Sequence, residues 1–178
     1  MHIVLGALGA IVTILILVNR LSDNGIDIGW LNPFAWKRRR EWAKKYHASP
    51  IYSIQSPMDV TGLLMVAIAK SEGDMSSDQK NEIKVKFKEA FHLDEDKATS
   101  LITSSVFLLK EEMSSVKYIG KLLAPSIDKF TEEQAKSAYE LITHISTFDG
   151  PPNQFQEDVI SLFKETMQAH FKSSKGWA

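Results

Sequence analysis

From residue 56 onward, apolar residues return every three or four positions, the spacing of one face of an α-helix. Leu63, Leu64, Met65, Val66, Ala67 and Ile68 make the first stripe, and Ile83, Phe87, Ala90 and Phe91 the second. Leu101, Ile102, Val106, Leu108 and Leu109 make the third, followed by a short fourth at Tyr118, Ile119, Leu122 and Leu123. Tyr139, Leu141, Ile142, Ile145 and Phe148 form the fifth, and Val159, Ile160, Phe163 and Met167 the sixth. No stretch alternates with the period of two that a half-buried strand requires. The pattern predicts an all-α domain of about six short helices.

Start signals fall between the stripes. Ser56-Pro57 offers an N-cap followed by proline at the first helical position. Ser76-x-x-Gln79, Thr131-x-x-Gln134 and Asn153-x-x-Gln156 fit the capping box, in which cap and amide satisfy each other's backbone donors. Asp94 is a fourth kind of cap, with Glu95 and Asp96 placed where the helix dipole favours negative charge.

The beginning of the chain has another pattern. Ile3 to Val18 is an uninterrupted apolar run whose only polar side chain is Thr13. With its flanks it extends about 27 Å as a helix, near the ~30 Å of a bilayer's hydrocarbon core. No basic region precedes it and no small-x-small site follows, so it is expected to be a retained single-span anchor rather than a cleaved leader. Lys and Arg lie only after the run, which predicts the N-terminus outside and the remainder in the cytoplasm, at the inner membrane if the cell is bacterial. Gly6, Gly9 and Ala10 supply a small-residue face against which another membrane helix can pack closely.

Behind the anchor, Trp30, Phe34, Trp36 and Trp42 are interleaved with Lys37, Arg38, Arg39 and Arg40. Aromatic rings favour the headgroup zone and basic side chains favour anionic lipid, so this segment is expected at the membrane interface. Trp and Arg also anchor protein interfaces, which leaves contact with a membrane protein as the alternative. The expected organisation is an anchor at 1–21, a basic and aromatic segment at 22–55, a helical domain at 56–172 and a tail at 173–178.

Charge follows the same division. Residues 1–45 hold seven Lys or Arg against three acidic residues, whereas residues 46–178 hold 14 Lys against 19. The whole chain, at a formal charge of −1, lacks the basicity of a nucleic-acid binder. Without cysteine there is no thiol nucleophile, disulfide scaffold or Cys-ligated metal. The five histidines have no metal-binding spacing, and phosphate loops, nucleophile elbows and dinucleotide fingerprints are all missing from the sequence. His144, near the fifth stripe, is expected to be partly buried and satisfied. Neither an enzyme nor a small-molecule substrate is expected.

Two helix pairs look alike. Shifted by 77 positions, Leu64, Ile68, Glu72 and Gly73 fall on Leu141, Ile145, Asp149 and Gly150. After a one-residue slip, Glu82, Ile83, Phe87 and Glu89 fall on Asp158, Val159, Phe163 and Glu165. The two junctions, residues 69–83 and 146–160, resemble the helix–turn–helix signature of the TerB-like family. That family includes tellurite-resistance TerB proteins and the amino-terminal domain of the membrane co-chaperone DjlA. The resemblance covers residues 57–171, with Glu72 at the family's Asp position and Gln79 and Gln156 at its Glu positions. The sequence has no His-Pro-Asp, so recruitment of the J-domain type is not implied.

The resemblance also implies a place for a divalent cation, with Glu72, Asp74, Asp78, Glu82, Asp149, Glu157 and Asp158 as the available oxygen ligands. No EF-hand loop is present, and the same acidic residues suit solvated positions at helix starts. No other cofactor is expected. The expected function is a membrane-anchored TerB-like adaptor that docks protein partners at the cytoplasmic face of an anionic bilayer. An accessory subunit of a larger integral membrane complex is the first alternative, and a cation-binding stress protein of the tellurite type the second.

Overall fold

A computed structural model describes residues 50–175. The apolar run with Gly6, Gly9 and Ala10, and the segment with Trp30, Phe34, Trp36, Lys37, Arg38, Arg39, Arg40 and Trp42, lie outside the described residues. Within those residues there are six α-helices, three 3-10 turns and no strands: the architecture is all-α. None of the described helices is long and apolar enough to cross a membrane.

The first helix, α1 (Pro57–Ala69), starts as its sequence dictates. The Ser56 hydroxyl accepts from the Asp59 amide at 3.2 Å, and Pro57 occupies the first turn. Every residue from Val60 to Ala69 is buried. A helix that is apolar all round has no face to offer water, so it becomes the centre of the bundle. Its main neighbours are α3 (Glu95–Glu112) and α5 (Glu132–Ser146), with α2 (Ser77–Phe91) and α6 (Gln154–Lys175) packing more lightly. The short α4 (Ile119–Leu123) lies against α6. Gly62 makes the centre tight, because a Cβ there would lie 3.0 Å from Leu101 Cδ2 and 3.2 Å from Phe87 Cζ.

The caps read from the sequence are present. Ser76 and Gln79 form a reciprocal capping box at α2, as Thr131 and Gln134 do at α5. Asp94 accepts from the Lys97 amide at 2.8 Å to open α3. At α6, the Asn153 amide donates to Gln156 Oε1 at 2.8 Å, and the Gln156 amide donates to Asn153 Oδ1 at 3.0 Å. Between the paired helices, Gly73 and Gly150 take φ of +135° and +149°, a region that only glycine enters without strain.

The expected resemblance of the two halves has a geometric counterpart. The positive-φ glycines and the caps correspond at a shift of 77, while the buried Ile83 and Phe87 correspond to Val159 and Phe163 at 76. The slip therefore falls in the first turns, and turns the buried face of α6 by about 100° from its cap relative to α2. Phe87 and Phe163, the two largest fully buried side chains, hold equivalent places. Burying each contributes about 1.5–3 kcal/mol.

Three details correct the sequence reading. The domain starts before residue 56: Pro50–Ser53 form a 3-10 turn, Ile51 and Ile54 enter the core, and the Tyr52 hydroxyl donates to the Ser115 carbonyl at 3.2 Å. Ala90, Tyr118 and Phe148, assigned to apolar stripes, are exposed. Tyr118 precedes α4 with the ammonium groups of Lys117 and Lys121 over its ring at 5.1 and 5.4 Å, and Phe148 lies past the end of α5. The last helix also runs three residues beyond the expected limit at 172, to Lys175.

Candidate functional site

The two junctions meet. Asn153, besides capping α6, donates from its side-chain amide to Ser71 Oγ at 2.9 Å and to Glu72 Oε1 at 3.1 Å. Gln156, besides completing the cap, donates from Nε2 to the Ile68 carbonyl at 3.1 Å. That carbonyl, in the last turn of α1, also accepts from the Ser71 amide at 3.2 Å, so the Gln156 bond brings it a second donor from α6. Nearby elements are joined by His144 Nε2 and Glu82 Oε1, 2.6 Å apart, which tie α5 to α2. The partner expected for His144 is thus present, with 46% of the side chain accessible.

The acidic residues considered as cation ligands are dispersed among other tasks. The Lys70 ammonium 2.7 Å from Asp74 holds that carboxyl below the usual carboxylate range. Glu72 accepts from Asn153, Glu82 faces His144, and Asp158 Oδ1 accepts from Gln154 Nε2 at 2.7 Å. Asp78, Asp149 and Glu157 are exposed on the surface. Among the described residues, no three His, Asp or Glu side chains are brought together in a way that could hold a metal ion.

A different feature stands out between α5 and α6. There the helices leave a groove of about 500 Å³, its apolar part formed by Ala135, Tyr139, Phe163, Met167 and Phe171. Lys136 borders it from α5, and Lys164, Gln168 and Lys172 border it from α6, with Glu132 at one end. The floor is solid, since Phe163 and Met167 are buried and Phe130 meets Phe163 edge-on at 6.4 Å. Lys164 reaches across with its ammonium 5.5 Å from the centre of the Tyr139 ring, inside the range of a cation–π contact.

One end of this groove lies near the link between the Pro50–Ser53 turn and α1. Lys129, just before α5, donates from its ammonium to Gln55 Oε1 at 3.1 Å. Its neighbour Asp128 has Oδ1 3.9 Å from Nδ1 of His170, which precedes the groove residues Phe171 and Lys172. Gln55 is thus linked, through the neighbours Lys129 and Asp128, to the C-terminal half of α6.

No family model, curated protein or solved structure matches this chain.

Sequence reasoning placed Tyr139, Phe163 and Met167 in apolar stripes but did not single out the lysines around them. The available signal was the spacing of Lys164, Gln168 and Lys172, four apart and so on one side of α6. The opposing residues of α5 required the tertiary structure.

Proposed function

We propose that the chain is a single-pass, membrane-anchored adaptor of the TerB-like kind, which docks protein partners at the cytoplasmic face of the membrane. One observation carries this reading: the unbroken apolar run Ile3–Val18, followed by all of the chain's Lys and Arg, leads into a helical bundle that begins by Ile51. A bundle so tethered works by what it binds at the bilayer surface. Trp30, Phe34, Trp36 and Trp42, with Lys37, Arg38, Arg39 and Arg40, would rest at the headgroups of anionic lipid and hold the domain close.

The TerB-like part rests on the two junctions. Their bonds, from Asn153 to Ser71 and Glu72 and from Gln156 to Ile68, support treating them as one paired motif. The density of Trp in the segment after the anchor favours a second reading, an accessory subunit gripping a larger membrane complex.

Fractionation of cells expressing the full chain tests the tether. The chain is expected to stay with membranes through alkaline carbonate washing, with its carboxyl half resistant to protease added from outside. Recovery in the soluble fraction, or digestion of that half in intact cells, overturns the proposal. A stoichiometric integral membrane partner, lost when Trp30, Phe34 and Trp36 are replaced together, would decide for the subunit.

A further inference from the structure

We infer that the α5–α6 groove is the docking site of this adaptor, and that it takes an acidic amphipathic helix from a partner protein. The inference rests on the adaptor reading and adds to it a place and a chemistry. Four observations lead to it.

The sign of the charge comes first. Residues 46–178 carry an acidic excess, 19 against 14, yet the groove is edged by Lys136, Lys164 and Lys172 against Glu132. A basic groove on an acidic domain attracts acidic partners locally, while the rest of the surface repels those that approach elsewhere.

The second is the arrangement of those charges. Lys164 and Lys172 are eight residues apart on α6, about 12 Å along its axis, and Lys136 stands on the other wall. This matches about two turns of a helix with carboxylates on its flanks. An anionic lipid has one charged end and an apolar tail, and would call for basic groups gathered at one end of the groove. Here they border both walls and extend along one.

The third is the floor. The partly buried Tyr139 and Phe171 give an apolar surface beside the buried Phe163 and Met167, suited to Leu- or Phe-type anchors spaced three or four apart. The fourth is position. Gln55–Lys129 and Asp128–His170 put the Phe171–Lys172 end of the groove near the described beginning of the bundle, the side from which the proposed tether would lead away.

The chain's own segment before the bundle is the wrong occupant. Its Lys37, Arg38, Arg39, Arg40, Lys44 and Lys45 would meet three further lysines.

The test uses the full chain in neutral detergent micelles. The probes are a fluorescent synthetic helix of Glu and Leu in amphipathic order, its Lys and Leu counterpart, and vesicles containing anionic phosphatidylglycerol. The acidic peptide is expected to bind, more weakly as salt rises, and the basic peptide not to bind. Replacing Lys136, Lys164 and Lys172 together by Glu should weaken the acidic peptide roughly tenfold or more and turn the preference to the basic one. Because these side chains are on the surface, circular dichroism and the urea midpoint should show the variant as well folded as the parent, so the changed preference is read on a folded protein.

Acidic-peptide binding that ignores the three substitutions overturns the inference. So does no binding, vesicle binding that alone depends on the three lysines, or a dimer that only the substitutions dissolve. If the chain fractionates with membranes but the acidic peptide does not bind, the groove assignment fails alone. If the peptide binds while the chain is recovered in solution, the tether fails alone.

Discussion

The side chain of Gln156 donates to the carbonyl oxygen of Ile68, 88 positions earlier, while its own amide oxygen accepts from Asn153. A single amide thus caps α6 and joins it to the last turn of α1, whose Ile68 carbonyl also accepts from the Ser71 amide. Gln79, the corresponding residue of the first junction, has only the capping task. The difference is testable because glutamate keeps the acceptor of glutamine and loses its donor. Gln79→Glu should leave stability unchanged or raise it by a few tenths of a kcal/mol, since a carboxylate near a helix start is favourable. Gln156→Glu should cost about 1–3 kcal/mol, because it directs a charge at an acceptor carbonyl and near Glu72. Urea unfolding of the full chain in mild detergent, followed by circular dichroism, distinguishes the two. Equal midpoints would show that the Ile68 bond contributes nothing.

Gly62 and Gly120 both lie in helices, and an added methyl group should act on them in opposite directions. At Gly120 a Cβ meets nothing within 4 Å, so Gly120→Ala should gain up to about 1 kcal/mol from helix propensity. At Gly62 the same propensity gain is opposed by contacts of 3.0 and 3.1 Å with Leu101 and 3.2 Å with Phe87. Overpacking a closed core costs about 1–3 kcal/mol, which outweighs the gain. Gly62→Ala is therefore expected to lower the unfolding midpoint, and Gly120→Ala to keep or raise it.

How far the sequence revealed this structure depended on the range of each interaction. Caps at Ser56, Ser76, Asp94, Thr131 and Asn153 are bonds across three residues, and all were legible. The helical stripes were legible because burial imposes their period, as Phe87 and Phe163 illustrate. What escaped spans longer distances: Ile51 and Ile54 joining the core, the His144–Glu82 contact 62 positions apart, and the wall-to-wall position of Lys164 and Tyr139. An apolar residue at a helix end was also read too strongly, since Tyr118 and Phe148 satisfy the spacing but lie where the helix no longer covers them.

Ser104 and Ser105 are adjacent on α3, fully buried, and their hydroxyls have no hydrogen-bond partner among the described residues. A buried hydroxyl without a partner forfeits its bonds to water, a cost of about 1–3 kcal/mol. Removing it while gaining the helix preference of alanine should be favourable at such a small side chain. Ser105→Ala is expected to stabilise the chain by about 1 kcal/mol, read as a rise of several degrees in the melting temperature. A fall would indicate that the hydroxyl has a partner or packs in a way that the methyl group does not replace.

Acid should loosen the contact between α2 and α3. Lys84 and Lys88 of α2 stand 2.9 and 3.0 Å from the carboxylate of Glu95 at the start of α3, and these two ammonium groups, Lys84 first, hold its carboxyl below the usual range. Lys97 does the same to Asp94, through its ammonium and then its backbone amide. For a carboxyl lowered by folding, the stabilisation is complete above the unfolded value and is lost as pH falls through the folded one. The urea midpoint should thus fall from about pH 7 to about pH 3, and fall less in Glu95→Gln, which has no charge to lose there. Since Glu95 is 56% accessible, about 1 M salt should screen the pair and narrow the gap between the two proteins. Identical acid responses in low salt would mean that the bridge from Glu95 to α2 adds nothing to the fold.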